Sequence, residues 1–254
     1  MIDTHTHLYL NEFSDGGDET VVRAIASGVG HLILPNVDAS TMEPMKALHS
    51  RFPENTSMAL GLHPTEVGEG WEAIVDDMEK ELMNGGYVAV GEVGVDLYWD
   101  KSRRDDQLKA FARQLRIASR LHLPVIIHCR EALADTVQVI SEVKPEAPLV
   151  FHSFTGSKED VKLIREACSP MFGINGVVTF KNAASLREAI PEIGLQHVLL
   201  ETDSPYLAPV PNRGKRNESS FLCCVRDKVA EVLGISPDEV EHATDCSARE
   251  IFKI

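Results

Sequence analysis

The chain contains few cysteines, and their arrangement argues against disulfide bonds. Only five occur in 254 residues, the number is odd, no Cys-x-x-Cys pair is present, and Cys223 and Cys224 are adjacent in sequence. A small secreted scaffold held together by disulfide bonds is therefore excluded as the expected class, and reduced thiols are expected instead.

The sequence also lacks the segments that direct a chain to a membrane. No apolar run approaches the ~20 residues that a membrane-spanning helix needs. Residues 1–5 show neither the basic start nor the apolar stretch of a signal peptide. We therefore expect a soluble, cytoplasmic protein with no membrane partner, and the sequence indicates no obligatory protein partner.

Basic residues are scarce, and the glycine motifs of nucleotide-binding folds are missing. Asp and Glu total 39 against 25 Lys and Arg, which gives a formal net charge of −14. This excess argues against a sequence-independent grip on long duplex DNA, which needs many basic contacts. A small substrate or a strand end needs only a few. Residues 91–94 lack the dinucleotide fingerprint and no Gly-Lys-Ser occurs, so neither a Rossmann nor a P-loop site is expected.

Short apolar runs alternate with helical patterns along the whole chain, and 43% of residues are hydrophobic. Strands are predicted at residues 1–8, 31–37, 57–63, 87–95, 124–129, 148–154, 171–178 and 197–202. Helices are predicted at residues 19–27, 71–83, 106–122, 133–143, 158–168, 183–190, 218–233 and 237–252. This order predicts an α/β fold, a TIM-like (β/α)8 barrel that forms a single domain over residues 1–254. A doubly wound open sheet is the structural alternative.

Side chains that bind metals stand near the ends of the predicted strands. His5 and His7 are two residues apart on the first strand, so their side chains face the same side. Further residues of this kind lie in or at the end of later strands, namely His63, Glu92, His128, His152 and Asp203. Because the carboxyl ends of barrel strands meet at one mouth, we expect these side chains to converge there.

A shared pair of divalent cations would explain such a cluster. Burying an imidazole or a carboxylate in an apolar strand is unfavourable without a partner, and two ions would supply one. The ligand types suit Mg²⁺, Mn²⁺ or Zn²⁺ without choosing among them. Glu92, on a middle strand, is the candidate for a carboxylate that bridges both ions. The remaining histidines are expected to be ordinary polar residues, namely His31, His49, His122, His197 and His242.

With these residues in place, the sequence resembles the TatD family of metal-dependent deoxyribonucleases, within the amidohydrolase-like barrels. The matching segments are residues 2–7 (IDTHTH), 61–64 (GLHP), 91–96 (GEVGVD), 125–130 (VIIHCR), 151–156 (FHSFTG), 200–209 (LETDSPYLAP) and 213–218 (RGKRNE). The resemblance covers nearly the whole chain, and the order and spacing of the segments are highly specific.

The resemblance implies a role for each matching residue. A first ion would be held by His5, His7, Glu92 and Asp203. A second ion would be held by Glu92, His128 and His152. His63 would lie beside the phosphate of the substrate.

On this basis we expect hydrolysis of a phosphodiester by a water that two metal ions activate. Asp203 would accept the proton of that water as the general base. His63, together with the metals, would stabilise charge that develops on the phosphoryl oxygens. The predicted substrate contacts are Arg130, Arg213, Lys215, Arg216 and Tyr206, the last of which is, with Trp99, a candidate for stacking on bases.

Three classes of function compete. The first is a DNA hydrolase, an exodeoxyribonuclease that acts on DNA or nucleotide substrates at single-stranded ends. The second is a metal-dependent hydrolase of an amide, a lactone or an aminoacyl-tRNA ester on the same barrel, which fold and ligands do not separate from the first. The third is a non-enzymatic binding protein, against which the complete ligand set argues. The basic residues near the last strand favour a phosphate-containing substrate.

Overall fold

The computed structural model describes residues 1–13 and 16–254. In this part of the chain, eight parallel strands follow one another around a single sheet in sequence order. They are β1 (Ile2–Asp3), β2 (His31–Pro35), β3 (Thr56–Ala59), β4 (Tyr87–Asp96), β5 (Val125–Arg130), β6 (Leu149–Phe151), β7 (Pro170–Ile174) and β8 (Val198–Leu200). Several strands are almost continuously apolar, as expected for parallel strands that are covered on both faces.

Hydrogen bonds between the first and last strands close the sheet into a barrel. The amide of Thr4 donates to the carbonyl of Leu200 at 3.0 Å, and the amide of His7 donates to the carbonyl of Ser204 at 2.8 Å. Thr6 and Ser204 form a parallel bridge just beyond the ends of β1 and β8. The predicted (β/α)8 barrel is therefore confirmed, and the open sheet is not observed.

Helices cover the outside of the barrel. Those in the described ranges are α1 (Asp18–Ala26), α2 (Met42–Arg51), α3 (Trp71–Met83), α4 (Arg104–Leu121), α5 (Leu133–Val143), α6 (Lys158–Ala167), α7 (Ala184–Ile193), α8 (Leu222–Leu233) and α9 (Pro237–Phe252). Capping boxes begin α6 at Ser157 and α9 at Ser236, where the serine hydroxyl accepts a backbone N–H three residues ahead. No described helix is both long enough and apolar enough to cross a bilayer.

One helix was missing from the sequence-based prediction, and several strands are shorter than predicted. Helix α2 buries only Met45 and Leu48, so its apolar stripe is too thin to stand out in the sequence. Strand β1 ends at Asp3 rather than at residue 8, and β7 gives way to a 3-10 turn at Gly176–Thr179. Beyond these points the chain no longer pairs with the neighbouring strands and forms the mouth of the barrel. The sequence does not mark this change, because its pattern of apolar and polar residues continues.

The lower half of the barrel interior is an apolar floor. It consists of inward-facing side chains of the strands, closed from below by two residues of α9: Ile2, Ile33, Ala59, Ala89, Ile126, Val150, Met171, Leu199, Ala248 and Phe252. The amino terminus of Met1 pairs with Glu241 at 3.2 Å and with Asp245 at 3.4 Å, both on α9. These contacts hold the last helix under the barrel and leave the opposite end open for a site.

Candidate metal centre

The structure brings all seven predicted side chains together above the floor. His5 and His7 follow β1, His63 follows β3, Glu92 lies within β4, and His128 lies near the end of β5. His152 and Asp203 follow β6 and β8. The alternation of side chains along a strand accounts for their inward direction, because Ile126 and Val150 of the floor lie two residues before His128 and His152.

Glu92 lies at the centre of the cluster, and each of its carboxylate oxygens faces a different group of imidazoles. Its Oε2 lies 3.2 Å from Nε2 of His5 and 3.6 Å from Nε2 of His7. Asp203 completes this first group, with its Oδ1 3.9 Å from Nε2 of His5 and 3.7 Å from Nε2 of His7. The donor set is that expected of one divalent ion.

The second group surrounds the other oxygen of Glu92. Its Oε1 lies 2.7 Å from Nε2 of His152, 2.8 Å from Nδ1 of His128 and 3.4 Å from Nε2 of His63. His63, Glu92 and His128 form a triad with ligand atoms close enough together for a single ion, and so do His5, His7 and Glu92. Glu92 is thus the only residue that these two triads share, which is the geometry required of a bridging carboxylate.

Hydrogen bonds on the far side of the rings determine which nitrogen can face a cation. Nδ1 of His7 lies 3.1 Å from the carbonyl of Pro35, and Nε2 of His128 lies 2.8 Å from Oδ2 of Asp96. Both partners can only accept, so each of these nitrogens carries the proton. In the neutral rings, the lone pairs of His7 Nε2 and His128 Nδ1 then point at the centre, as metal ligation requires.

His63 has the opposite arrangement. Its Nδ1 accepts the backbone N–H of Thr65 at 3.2 Å and lies 2.7 Å from the hydroxyl of the same residue. The proton of a neutral His63 ring therefore resides on Nε2, the nitrogen that faces the centre. This geometry makes His63 a hydrogen-bond donor at the mouth, although distance alone groups it with His128 and Glu92.

The electrostatics of the cluster reflect dense charge in a dry environment. Burial lowers the pKa of His5 well below its ordinary value, and the neighbouring His152 lowers it further. For Glu92, burial acts to raise the pKa, but the imidazoles around it prevail and hold the pKa well below its usual range. Burial, followed by the nearby Glu92 carboxylate, raises the pKa of Asp203 to about 8. A cation between these groups would favour the ionised carboxylates and the neutral imidazoles.

Buried polar atoms without hydrogen-bond partners lie on the other side of two of these rings, beside Glu201. Among the described residues, Nδ1 of His5, Nδ1 of His152 and Oε2 of Glu201 are buried and accept or donate no hydrogen bond. Glu201 is fully buried, and its Oε1 accepts the amide of Ser153 at 2.6 Å. Orphaned buried groups of this kind are rare in folded proteins and indicate an ion or a water. Together with the two triads around Glu92, the residues present fit divalent cations.

Two carboxylates of this site were not predicted from the sequence. Asp96 orients His128, and Glu201 forms a third possible ligand triad with His5 and His152. Both belong to the segments on which the family resemblance rests, but their partners are distant in the chain. Asp96 is 32 residues from His128, and Glu201 is 48 residues from Ser153. The available signal was an acidic residue within or just after an apolar strand, where burial without a partner is unfavourable.

Gly94 allows β4 to pass close to β5 at the site. Its φ is +147°, and a Cβ at this position would lie 1.9 Å from the carbonyl oxygen of His128. Only glycine permits this approach, because the atom in the way belongs to the backbone. Glu92 and His128 thereby lie side by side on neighbouring strands.

The predicted substrate contacts surround the mouth but do not form one cluster. The guanidinium of Arg130 lies over the ring of Tyr98, at 3.8 Å from its centroid. Arg213 lies over Phe180, while Arg216 lies over Phe13 and donates to the carbonyl of Glu12.

Lys215 and Tyr206 complete this set. Lys215 contacts Oδ1 of Asn212 at 3.5 Å, and the ring of Tyr206 is half-exposed. The loop that carries them is held by Asn217, whose amide donates to the carbonyls of Thr202 and Tyr206. The basic residues after β8 thus point towards different loops, and the structure spreads them along the rim.

The fold and the site together define the class of the protein: a (β/α)8 barrel with a histidine- and carboxylate-lined metal centre at the carboxyl ends of its strands. Comparison with known proteins narrows this class. The sequence profile of the family described as TatD related DNase matches residues 2–253. The chain therefore belongs to the TatD family.

Individual relatives agree with this family membership. The chain is similar over its whole length to the uncharacterized metal-dependent hydrolase YabD of Bacillus subtilis, with 34% identity and 99% of that protein covered. It is also 31% identical to the 3′-5′ ssDNA/RNA exonuclease TatD of Erwinia billingiae, with 100% of this chain and 99% of the relative covered. The crystal structure of YjjV, a TatD homologue from Escherichia coli, superposes with a TM-score of 0.93 at 27% identity, covering 100% of this chain and 98% of the other.

Proposed function

We propose that this protein is a metal-dependent hydrolase that cleaves phosphodiester bonds in single-stranded nucleic acid, working inwards from an end, with residues 1–254 acting as one catalytic domain. The observation that carries the proposal is the position of Glu92 between two groups of imidazoles, one on each carboxylate oxygen. Relatives that match the chain from end to end are named as 3′-5′ ssDNA/RNA exonucleases, which supports the substrate class.

The ligand assignment follows the two sides of Glu92. His5, His7 and Asp203 would hold one ion with it, and His128 and His152 would hold the other. The orientation of His7 and His128, fixed by Pro35 and Asp96, leaves their lone pairs directed inwards. When bound, a pair of ions supplies a water of lowered pKa and positive charge next to the phosphoryl oxygens.

Asp203 is suited to receive the proton of the attacking water. Its side chain is 14% exposed, whereas Glu92 and His152 are almost entirely buried, so Asp203 borders the opening through which water and substrate enter. Its amide donates to the carbonyl of His5 at 2.9 Å, which holds it against the first group of ligands. A carboxylate in this position can take a proton and release it to solvent.

His63 is suited to bind the phosphate. Its side chain is 13% exposed, and its protonated Nε2 faces the centre. A donor fixed in this direction would contact a non-bridging phosphoryl oxygen and stabilise the charge that grows there in the transition state. Arg130, Arg213, Lys215 and Arg216 are proposed to hold neighbouring phosphates along the rim, since phosphate contacts position a strand without reading its sequence.

The proposal is tested by incubating the protein with single-stranded DNA and Mg²⁺, Mn²⁺ or Zn²⁺ and measuring the release of mononucleotides. We expect release from an end, its loss with a chelator, and its loss in Asp203→Asn. Parallel assays on an amide, a lactone and an aminoacyl-tRNA ester serve as controls. Wild-type protein that leaves DNA intact with all three metals, or that prefers one of these other substrates, would refute the nuclease assignment.

A further inference from the structure

Exposed aromatic side chains are concentrated at the mouth of the barrel. Among the described residues, the large exposed hydrophobic side chains that are aromatic are Tyr98, Trp99 and Tyr206. Tyr98 and Trp99 come directly after β4, and Tyr206 follows β8, so all three stand at the carboxyl ends of strands. Burial of an aromatic ring is strongly favourable, so an exposed group at a catalytic mouth points to contact with a ligand.

Tyr98 and Trp99 form a compact surface with Arg130. The two rings meet edge to face with centroids 4.9 Å apart. The Arg130 guanidinium lies 3.8 Å from the centroid of Tyr98 and 5.5 Å from that of Trp99. In the described part of the chain Arg130 forms no ion pair with a carboxylate, so its charge remains available to an anion. We call these three residues the aromatic platform.

A single carboxylate connects the aromatic platform to the metal centre. Oδ1 of Asp96 accepts the backbone N–H groups of Tyr98 at 2.9 Å and Trp99 at 3.2 Å. Its other oxygen, Oδ2, lies 2.8 Å from Nε2 of His128. In addition, the amide of Leu97 donates to the carbonyl of Arg130 at 3.0 Å. The platform is thus connected through Asp96 to His128, a proposed metal ligand, and holds a fixed position beside it.

We propose that the aromatic platform binds an unpaired nucleobase next to the scissile phosphate, with the base stacked on Trp99 and the adjoining phosphate held by Arg130. This inference rests on the proposed function and names the part of the substrate that this side of the mouth recognises. Every base has a flat π-face, so stacking selects single strands without selecting a sequence. A base within a duplex has both faces covered and cannot use such a surface.

The position of the platform suggests a path for the strand across the mouth. Because the eight strands close in sequence order, β4 lies opposite β8, and the platform therefore faces Tyr206 across the metal centre. The acidic net charge of −14 leaves little general attraction for nucleic acid. Stacking, together with a few local cations such as Arg130, is then the means by which this chain can hold a strand.

Direct binding measurements test the platform without requiring cleavage. The probe is a short oligodeoxythymidylate with phosphorothioate linkages, which resist hydrolysis, added to the metal-loaded protein. The chain has two tryptophans, and Trp71 is buried in the core, so Trp71→Phe leaves Trp99 as the sole fluorescent reporter. We expect the oligonucleotide to quench Trp99 and to protect it from acrylamide.

Substitutions then identify the contact. Trp99→Ala should weaken binding roughly tenfold, within the range for loss of one base–aromatic stack, and Trp99→Phe should restore most of the affinity. Met83 provides a matched control, because its side chain is 69% exposed, as is that of Trp99, but it lies at the end of α3 away from the mouth. Met83→Ala should bind the oligonucleotide like the wild type.

A double-mutant cycle separates stacking from a merely structural role. Oligonucleotides that are abasic at each position in turn are compared on the wild type and on Trp99→Ala. At the position that stacks, removing the base should weaken binding to the wild type roughly tenfold and should have no further effect on Trp99→Ala. Independent effects that multiply, or equal binding by wild type and Trp99→Ala, would overturn the proposal.

The experiments distinguish refutation of the aromatic-platform proposal from refutation of the nuclease assignment. Cleavage of DNA by the wild type with no effect of Trp99→Ala on binding refutes the platform and leaves the nuclease intact. Binding that depends on Trp99 without any cleavage refutes the nuclease and supports the platform as a nucleic-acid site. A wild-type protein that binds no oligonucleotide refutes the platform outright.

Discussion

The floor and the mouth of this barrel are built from the same strands and differ in how burial is made favourable. Val150 and His152 lie two residues apart on or just beyond β6, and Ile126 and His128 do so on β5. In each pair the lower residue packs among apolar side chains, while the upper one faces Glu92. The floor is therefore stabilised by hydrophobic contacts, whereas the next layer of interior side chains towards the mouth contains charged and polar groups that need partners.

Burial has opposite energetic consequences at the two ends of the barrel. At the floor, removing apolar surface from water stabilises the fold directly, by roughly 25 cal/mol per Å². At the mouth, the same burial opposes ionisation, and a cation or a charged neighbour must compensate for it. Function is therefore concentrated at the end where the fold gains least from burial.

The largest effect is expected at the mouth, from Glu92→Gln. The amide removes the negative charge that both groups of imidazoles share, so both ions should be lost together. Loss of a residue that merely hydrogen-bonds to a metal ligand reduces metal affinity or activity by about 10–100-fold. Loss of the bridging carboxylate itself should therefore reduce activity by more than about 100-fold. Metal content by atomic absorption and nucleotide release measure this. Retention of two ions per chain by Glu92→Gln would show that Glu92 is not the bridge.

At the floor, Phe252→Ala should reduce stability and leave the chemistry unchanged. Phe252 is fully buried beneath the strands, and Phe→Ala changes in cores cost about 3–5 kcal/mol. Urea denaturation should show this loss, with the activity per folded molecule unaffected. Val22→Ala on the exposed side of α1 is the control and should change stability by less than about 0.5 kcal/mol. A fall in activity of folded Phe252→Ala would show that floor and mouth are coupled.

His63→Gln sharpens the distinction between ligands and donors within the mouth. Because Nδ1 of His63 accepts the Thr65 amide, the side chain should act on substrate rather than on metal. Loss of one fixed donor to the transition state reduces kcat by about 10²–10³-fold, and the metal content should stay at the wild-type level. His128→Gln is the comparison, and it should lose metal. Equal metal loss in both variants would place His63 among the ligands.

A smaller effect is expected from Asp96→Asn, because Asp96 contacts the proposed ligand His128 rather than a proposed ion. The amide can still accept the Tyr98 and Trp99 N–H groups, but it no longer holds the proton on Nε2 of His128 with a charge. Loss of a carboxylate that hydrogen-bonds to a metal-binding histidine weakens metal binding by about 10–100-fold. Competition with a fluorescent chelator measures the affinity. Unchanged affinity would mean that the orientation of His128 is set by its backbone alone.

Much of the fold and most of the site could be predicted from the sequence because their signals are local. Alternating apolar runs such as Val125-Ile126-Ile127 identify strands, and an imidazole at the end of such a run identifies a ligand candidate. Helix α2 escaped prediction because only two of its residues are buried. Glu201 and Asp96 escaped because their roles depend on partners in other segments, as when Gln107 of α4 binds the backbone of Asp96.

The sequence by itself determined the order of strands and helices, the histidine and carboxylate side chains that gather above the floor, and the end of the barrel at which they do so. These follow from periodicity and from the rule that parallel strands end at one edge. Only the tertiary structure decided that the first and last strands close the barrel, which nitrogen of each imidazole faces inwards, and that Tyr98, Trp99 and Arg130 form one surface. These features arise from hydrogen bonds and ring contacts between residues far apart in the chain, which no local pattern records.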